Sequence, residues 1–144
     1  MAPPPRLILF YDGRCGLCAR VLRWVLRWER SPGSLHFAPL QGETARAHLP
    51  VELRSEPLDS VVLWERGGAG GPARVRVRAR AVRGLAPQLR WPWRGVVWGM
   101  FSVPGVSEGA YRWVSRHRHR MGMPAHCEGR PPNLNPQQAD RFLP

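Results

Sequence analysis

Arg6-Leu7-Ile8-Leu9-Phe10-Tyr11-Asp12-Gly13-Arg14-Cys15-Gly16-Leu17-Cys18 is the stretch on which the fold turns. After Arg6, Leu7 to Tyr11 form a continuous apolar run of β-forming side chains, the pattern of a central strand covered on both faces. Asp12-Gly13 is a turn pair that ends the strand. From Gly16 to Arg30 the apolar residues Leu17, Val21, Val25 and Trp28 recur at helical spacing. Arg20, Arg23, Arg27 and Arg30 fill much of the remaining circumference, so an amphipathic helix is expected, stopped by Ser31-Pro32-Gly33. Leu35-His36-Phe37-Ala38 reads as a second short strand, closed by Pro39. Strand, helix and strand make a parallel crossover unit.

Downstream, Glu43 to Leu49 is expected to be helical until Pro50 interrupts it. Ser60 to Glu65 reads as a strand. After the turn-rich Gly67-Gly68-Ala69-Gly70-Gly71-Pro72, the segment Arg74-Val75-Arg76-Val77-Arg78-Ala79-Arg80 alternates strictly, which predicts an antiparallel hairpin. Val75, Val77 and Ala79 are expected to face the core and the arginines solvent, on a strand near a sheet edge where charge blocks aggregation. Ala81 to Leu89 reads as a short helix, Trp91-Pro92-Trp93 as a break, and Val96 to Phe101 as an apolar segment. Ser107 is the expected N-cap of a last helix through about Arg120, with Glu108 at its positive end. From Gly122 onward an irregular tail is expected.

The chain has 144 residues, which suits one domain. The expected organisation is a core over residues 6–90, a helical extension over 91–120 and a tail over 121–144. No apolar stretch approaches the roughly 20 residues that span a bilayer. No secretory signal follows the Pro-rich start, so cytoplasm is the default compartment. All 22 basic residues are arginine, against 10 acidic ones, for a net charge of +12. With no lysine beside abundant Ala, Gly and Pro, genome composition bias is favoured over a selected polyanion site. The eight arginines between Glu65 and Glu108 are the material of a nucleic-acid-binding alternative, although no aromatic stacking signature is interleaved with them on the strand, and nucleic acid is not the expected partner.

Cys15 and Cys18 carry the chemistry. Two cysteines three apart across a first helical turn close a small disulfide with little backbone movement. After a buried strand and at a helix start, this is the place of a redox dithiol. Cys15 is expected to be the more exposed and to feel the helix's positive end, which favours thiolate, with Arg14 and Arg20 acting in the same direction. Cys15 is therefore the candidate nucleophile and Cys18 the resolving thiol. Asp12 has two readings of equal weight: a carboxylate that takes the proton from Cys18 or, by like-charge repulsion, restrains the acidity of Cys15, or a turn-former that caps the helix.

Two alternatives stand beside the redox reading. A zinc site completed by Cys127 with His126, His119 or His117 would make this a zinc-stabilised interaction domain, though such pairs usually stand on knuckles rather than after a core strand. Inert packing cysteines are the other. The His117-Arg118-His119-Arg120 run reads as a solvated helix end. Trp91, Trp93 and Trp98 are expected to cover the core, with an apolar docking surface or a membrane interface as the alternative.

Phe10-Tyr11-Asp12-Gly13-Arg14-Cys15-Gly16-Leu17-Cys18 resembles the signature of the DCC family (DUF393) of thiol-disulfide oxidoreductases, named for its Asp-x-x-Cys-x-x-Cys pattern. Phe37 to Gly42 looks like that family's second-strand segment, Leu58 to Leu63 like its third, and Tyr111 to Arg118 like its C-terminal helix. Cys127 falls where a further cysteine is common. The resemblance implies an α/β thioredoxin-like fold, a βαβαββα core with additional C-terminal helices. It implies disulfide exchange with protein or small-molecule thiols through Cys15 and Cys18, and calls for no cofactor. Departures are the Gly-rich insertion and Ala79-Arg80-Ala81 where the family has a Ser near the hairpin's end. Pro57 is the nearest candidate for the cis-proline that thioredoxins place beside the dithiol. Cys127, in Gly/Pro-rich surroundings, is expected to be dispensable for the core reaction.

Overall fold

The computed structural model describes residues 4–55, 61–121 and 134–144. Pro57 and Cys127 lie outside them. A four-stranded sheet in the order β2-β1-β3-β4 forms the centre, from β1 (Leu7–Tyr11), β2 (Leu35–Pro39), β3 (Val62–Glu65) and β4 (Arg74–Val77). β1 runs parallel to β2, with Leu9 opposite Phe37, and antiparallel to β3, with Leu9 opposite Leu63; β4 pairs antiparallel with β3. With α1 (Gly16–Trp28), α2 (Glu43–His48) and α3 (Arg78–Leu85), this is the thioredoxin-like βαβαββα arrangement. Added to it are α4 (Trp93–Met100), α5 (Val106–Met121) and the single turn α6 (Pro136–Ala139).

Every residue of β1 is buried, because the pleat sends alternate side chains into two cores. Leu7, Leu9 and Tyr11 pack with Leu22, Val25 and Leu26 of α1 and Leu85 of α3. Ile8 and Phe10 pack on the other face with Ala38, Ala45 and Leu49.

The buried face of α1 is Ala19, Leu22, Val25 and Leu26, rotated from the expected Leu17, Val21, Val25 and Trp28. The apolar arc of this helix is wider than one layer can cover. The sheet takes one side of the arc, and Leu17, Val21 and Trp24 are left to face the C-terminal helices.

β4 also ends earlier than alternation predicts. Val77 is its last residue, Arg78 takes a left-handed φ of +53°, and Ala79 is buried in α3 rather than in a strand. Beyond Val77 the β-branched residues stop and Arg and Ala follow, both strong helix formers, so propensity overrides the alternating pattern. β4 is an edge strand as expected, but Val75 stands exposed. Ser107 is not the N-cap of α5; the helix begins at Val106, and Ser107 is buried in its first turn.

Where an irregular tail is expected, residues 134–144 instead pack against the sheet. Arg141 to Leu143 run along the outer edge of β2: Phe37 N–H donates to Arg141 O at 2.9 Å and Leu143 N–H to Phe37 O at 2.8 Å. Phe142 stacks on Phe37 with centroids 5.0 Å apart. Arg141 forms a two-pronged ion pair with Glu29 (2.5 and 2.6 Å) just past the end of α1, and its Nε donates to Leu35 O at 2.9 Å. A further strand-like segment thus covers an edge that would otherwise present unpaired backbone groups.

Candidate functional site

The chain leaves β1 at Tyr11 and turns at once into α1. Cys15 N–H donates to Asp12 O at 3.1 Å, closing the turn. The buried Asp12 carboxylate organises it further: Oδ1 accepts from Arg14 N–H at 3.0 Å and from Gln41 Nε2 at 2.8 Å. Gln41 Oε1 in turn accepts from Gly13 N–H at 3.2 Å. The amide of Gln41, two residues past β2, thereby clamps both arms of the turn. Asp12 is a turn-former, but it is not the helix cap, since Cys15 itself occupies the N-cap position.

Cys18 lies in the first turn of α1, so both thiols belong to one helix start. No disulfide joins them. Their exposures are the reverse of expectation: Cys15 is buried, at 6%, and Cys18 is partly exposed. The cause is helical phase. Cys15 stands in line with Ala19, Leu22 and Leu26, four, seven and eleven residues on, and that line is the one turned to the core.

Over the dithiol lies a cavity of about 320 Å³. Asp12, Cys15 and Cys18 line its floor, Val21 and Trp24 one side, and Phe101, Tyr111 and Val114 of the C-terminal helices another. Its walls are almost wholly apolar. Tyr111 also fixes α5 in place, because its hydroxyl oxygen accepts from Val61 N–H at 2.9 Å. This enclosure was not foreseen from the sequence, and neither was the role of Gln41. The available signals were Leu17, Val21 and Trp24 on the second side of α1, and Tyr111, Val114 and Ser115 at i, i+3 and i+4.

Trp93 packs as expected, edge-on to Trp24 with centroids 5.1 Å apart. Trp91 and Trp98 do not; they are 84% and 60% exposed. His117 fits a helix surface, with its ring stacked on Trp113 at 4.7 Å and Nδ1 2.8 Å from Trp113 O. Among the described residues no three His, Cys, Asp or Glu side chains gather into a metal-holding group; His126 and Cys127 lie outside those residues. Of the arginines between Glu65 and Glu108, Arg76 pairs with Glu65 at 3.6 Å and Arg78 with Glu108 at 3.7 Å. Among the described residues no helix is long and apolar enough to cross a membrane.

A family model described as DCC1-like thiol-disulfide oxidoreductase matches residues 9–123. No curated protein and no solved structure matches the chain.

Proposed function

The chain belongs to the DCC1-like thiol-disulfide oxidoreductase family, and from that premise we propose that it exchanges disulfides through Cys15 and Cys18 at the start of α1. The observation that carries this reading is that both thiols, with one buried carboxylate, border a single apolar cavity at a helix N-terminus.

Cys15 is the attacking thiol. Cys15 occupies the N-cap position at the positive end of the α1 dipole, and no acidic residue stands in the first turn. That positive end favours a thiolate over a thiol. Burial of Cys15 from bulk water is compatible with attack, because the cavity delivers the substrate to it. The thiolate attacks one sulfur of the substrate disulfide, the other sulfur leaves as a thiolate, and a mixed disulfide forms on Cys15. Cys18 then gives its proton to the Asp12 carboxylate and attacks Cys15 Sγ. The second substrate thiol leaves, and Cys15–Cys18 is the product disulfide. Exchange in the opposite direction retraces these steps. The partners are protein or small-molecule thiols and disulfides.

Replacing each cysteine separately tests the assignment. Cys15→Ser is expected to abolish disulfide reduction with the fold retained, and Cys18→Ser to accumulate a mixed disulfide detectable by mass. Accumulation in Cys15→Ser instead would exchange the two roles.

A second partner is supported by Trp91, Val96, Trp98 and Met100, exposed around α4 with Arg90 and Arg94 and with no acid between Glu65 and Glu108. A helix apolar around its circumference normally has neighbours on all sides. Anionic lipid supplies both an apolar depth for the tryptophans and charge for the arginines, so α4 is proposed as a peripheral membrane contact. Retention on vesicles with anionic headgroups, lost for Trp98→Ser, is expected; equal retention of both proteins sinks this contact.

A further inference from the structure

The apolar cavity over the dithiol does not stand alone. Beside it is a polar hollow of about 220 Å³ lined by Arg78, Tyr111, Arg112, Ser115 and Arg116. Tyr111 and Ser115, one turn apart on α5, line both spaces and form the seam between them. One side of the seam is apolar and leads to two thiols, and the other carries three guanidinium groups.

The charges on the basic side are concentrated in an unfavourable way. Arg112 and Arg116 are i and i+4 on one helix, a like-charge placement that costs a few tenths of a kcal/mol in an isolated helix. Arg78 reaches the same hollow from the chain reversal after β4, where its φ is +53°, a conformation that non-glycine residues adopt at a cost. Glu108 stands 3.7 Å from Arg78 and 3.5 Å from Arg112. Among the described residues, one partly exposed carboxylate stands with three guanidiniums, an excess of positive charge in the hollow.

We infer that the disulfide this site takes is a small amphipathic molecule with an anionic group, its apolar body in the cavity over Cys15 and Cys18 and its anion on Arg78, Arg112 and Arg116. The inference rests on the dithiol chemistry proposed above. The volume of the apolar cavity is at the lower end of small-ligand sites, which are mostly apolar with a few placed polar groups. Guanidinium forks are suited to carboxylate and phosphate geometry. The reaction balances without another component. The two thiols of the protein become the Cys15–Cys18 disulfide, the substrate S–S bond is reduced, and the two thiol protons end on the two product thiols.

The test uses three symmetric disulfides and the reduced native protein in single turnover, reading the product thiols by chromatography. They are the disulfide of mercaptohexanoic acid, its bis-amide, and the small neutral hydroxyethyl disulfide. The acid is expected to react about tenfold faster than the amide, a preference that falls as salt is added. In Arg116→Gln the acid-to-amide ratio is expected to fall severalfold, and in Arg116→Lys to recover in part. Because the ratio is taken within one protein, a general loss of activity does not move it. A ratio of one in the native protein, or a ratio unchanged in Arg116→Gln, overturns the anionic substrate class while reduction of hydroxyethyl disulfide leaves the dithiol chemistry standing. If native protein reduces none of the three, the dithiol reading falls and the inference falls with it.

Discussion

The two ends of α1 are held by opposite means. Past its C-terminal end, Glu29 is buried in a two-pronged pair with Arg141, whose guanidinium also donates to Leu35 O. Backbone bonds tie the same end to the loop before α4: Arg30 N–H donates to Gln88 O at 2.6 Å and Arg90 N–H to Trp28 O at 2.8 Å. At the N-terminal end the polar fastening is confined to one short turn clamped by Asp12 and Gln41, and beyond it lies the apolar cavity. One end is a closed anchor and the other an open site. A helix fixed at its far end can present reactive thiols at the near end without packing closed over them.

The sharpest way to break this contrast is to remove the anchor. Arg141→Met leaves Glu29 buried without its ion-pair partner and is expected to cost about 3–5 kcal/mol of stability by denaturant unfolding. Adding Glu29→Met should restore most of that loss, since both charges are then gone. Below the unfolding transition, disulfide exchange by either variant is expected to stay near native. Exchange that falls in step with stability would show that the two ends are not separable.

The other end is probed by Asp12→Asn. Asn retains an oxygen for Arg14 N–H and Gln41 Nε2 but cannot take a proton as a carboxylate does. Decay of the mixed disulfide is therefore expected to slow roughly 100-fold with little change in unfolding. Equal decay rates for Asn and Asp would remove the proton-transfer role and leave only the turn. Asp12→Ala loses both hydrogen bonds and is expected to cost about 2 kcal/mol of stability as well. Gln41→Ala, which unclamps the turn while sparing the carboxylate, is expected to cost about 1 kcal/mol.

The smallest effect belongs to the anchor side. His36 on β2 is held below the ordinary histidine range, first by burial and then by the neighbouring Arg141 charge, and its buried Nδ1 has no hydrogen-bond partner among the described residues. The unfolded chain therefore binds the proton more readily than the folded one. Stability is expected to be insensitive to this group above about pH 6.5 and to fall as the pH drops below it. His36→Leu should flatten that acid limb of the stability profile; an unchanged limb would assign it to other groups.

Local signals made the redox end legible. The apolar run Leu7 to Tyr11, the Asp12-Gly13 turn and the Cys15/Cys18 spacing each report on neighbours within a few residues, and strand, turn and helix start fall where they point. The hairpin was legible for the same reason as far as Val77, where helix propensity overtook alternation. What the sequence concealed was long-range. Nothing near Arg141 signals that it meets Glu29, 112 positions away. Gln41 shows no sign in its own surroundings that it will hold Asp12. The burial order of Cys15 and Cys18 depended on which side of a wide apolar arc the sheet would cover, and periodicity within α1 leaves that choice open. The cavity required four separate helices, α1, α3, α4 and α5, to come together, so its lining was present in the sequence only as unexplained apolar residues.

Cys15 and Cys18 are proposed to form one redox couple. This pairing is tested most directly by equilibrating the native protein with glutathione buffers of increasing oxidised fraction, blocking remaining thiols and mapping them by mass. Cys15 and Cys18 are expected to be lost together in a single two-electron step as an intramolecular disulfide, and neither Cys15→Ser nor Cys18→Ser is expected to show that step. Separate glutathione adducts on the two cysteines with no bond between them, or no oxidation of either across the range, would contradict it.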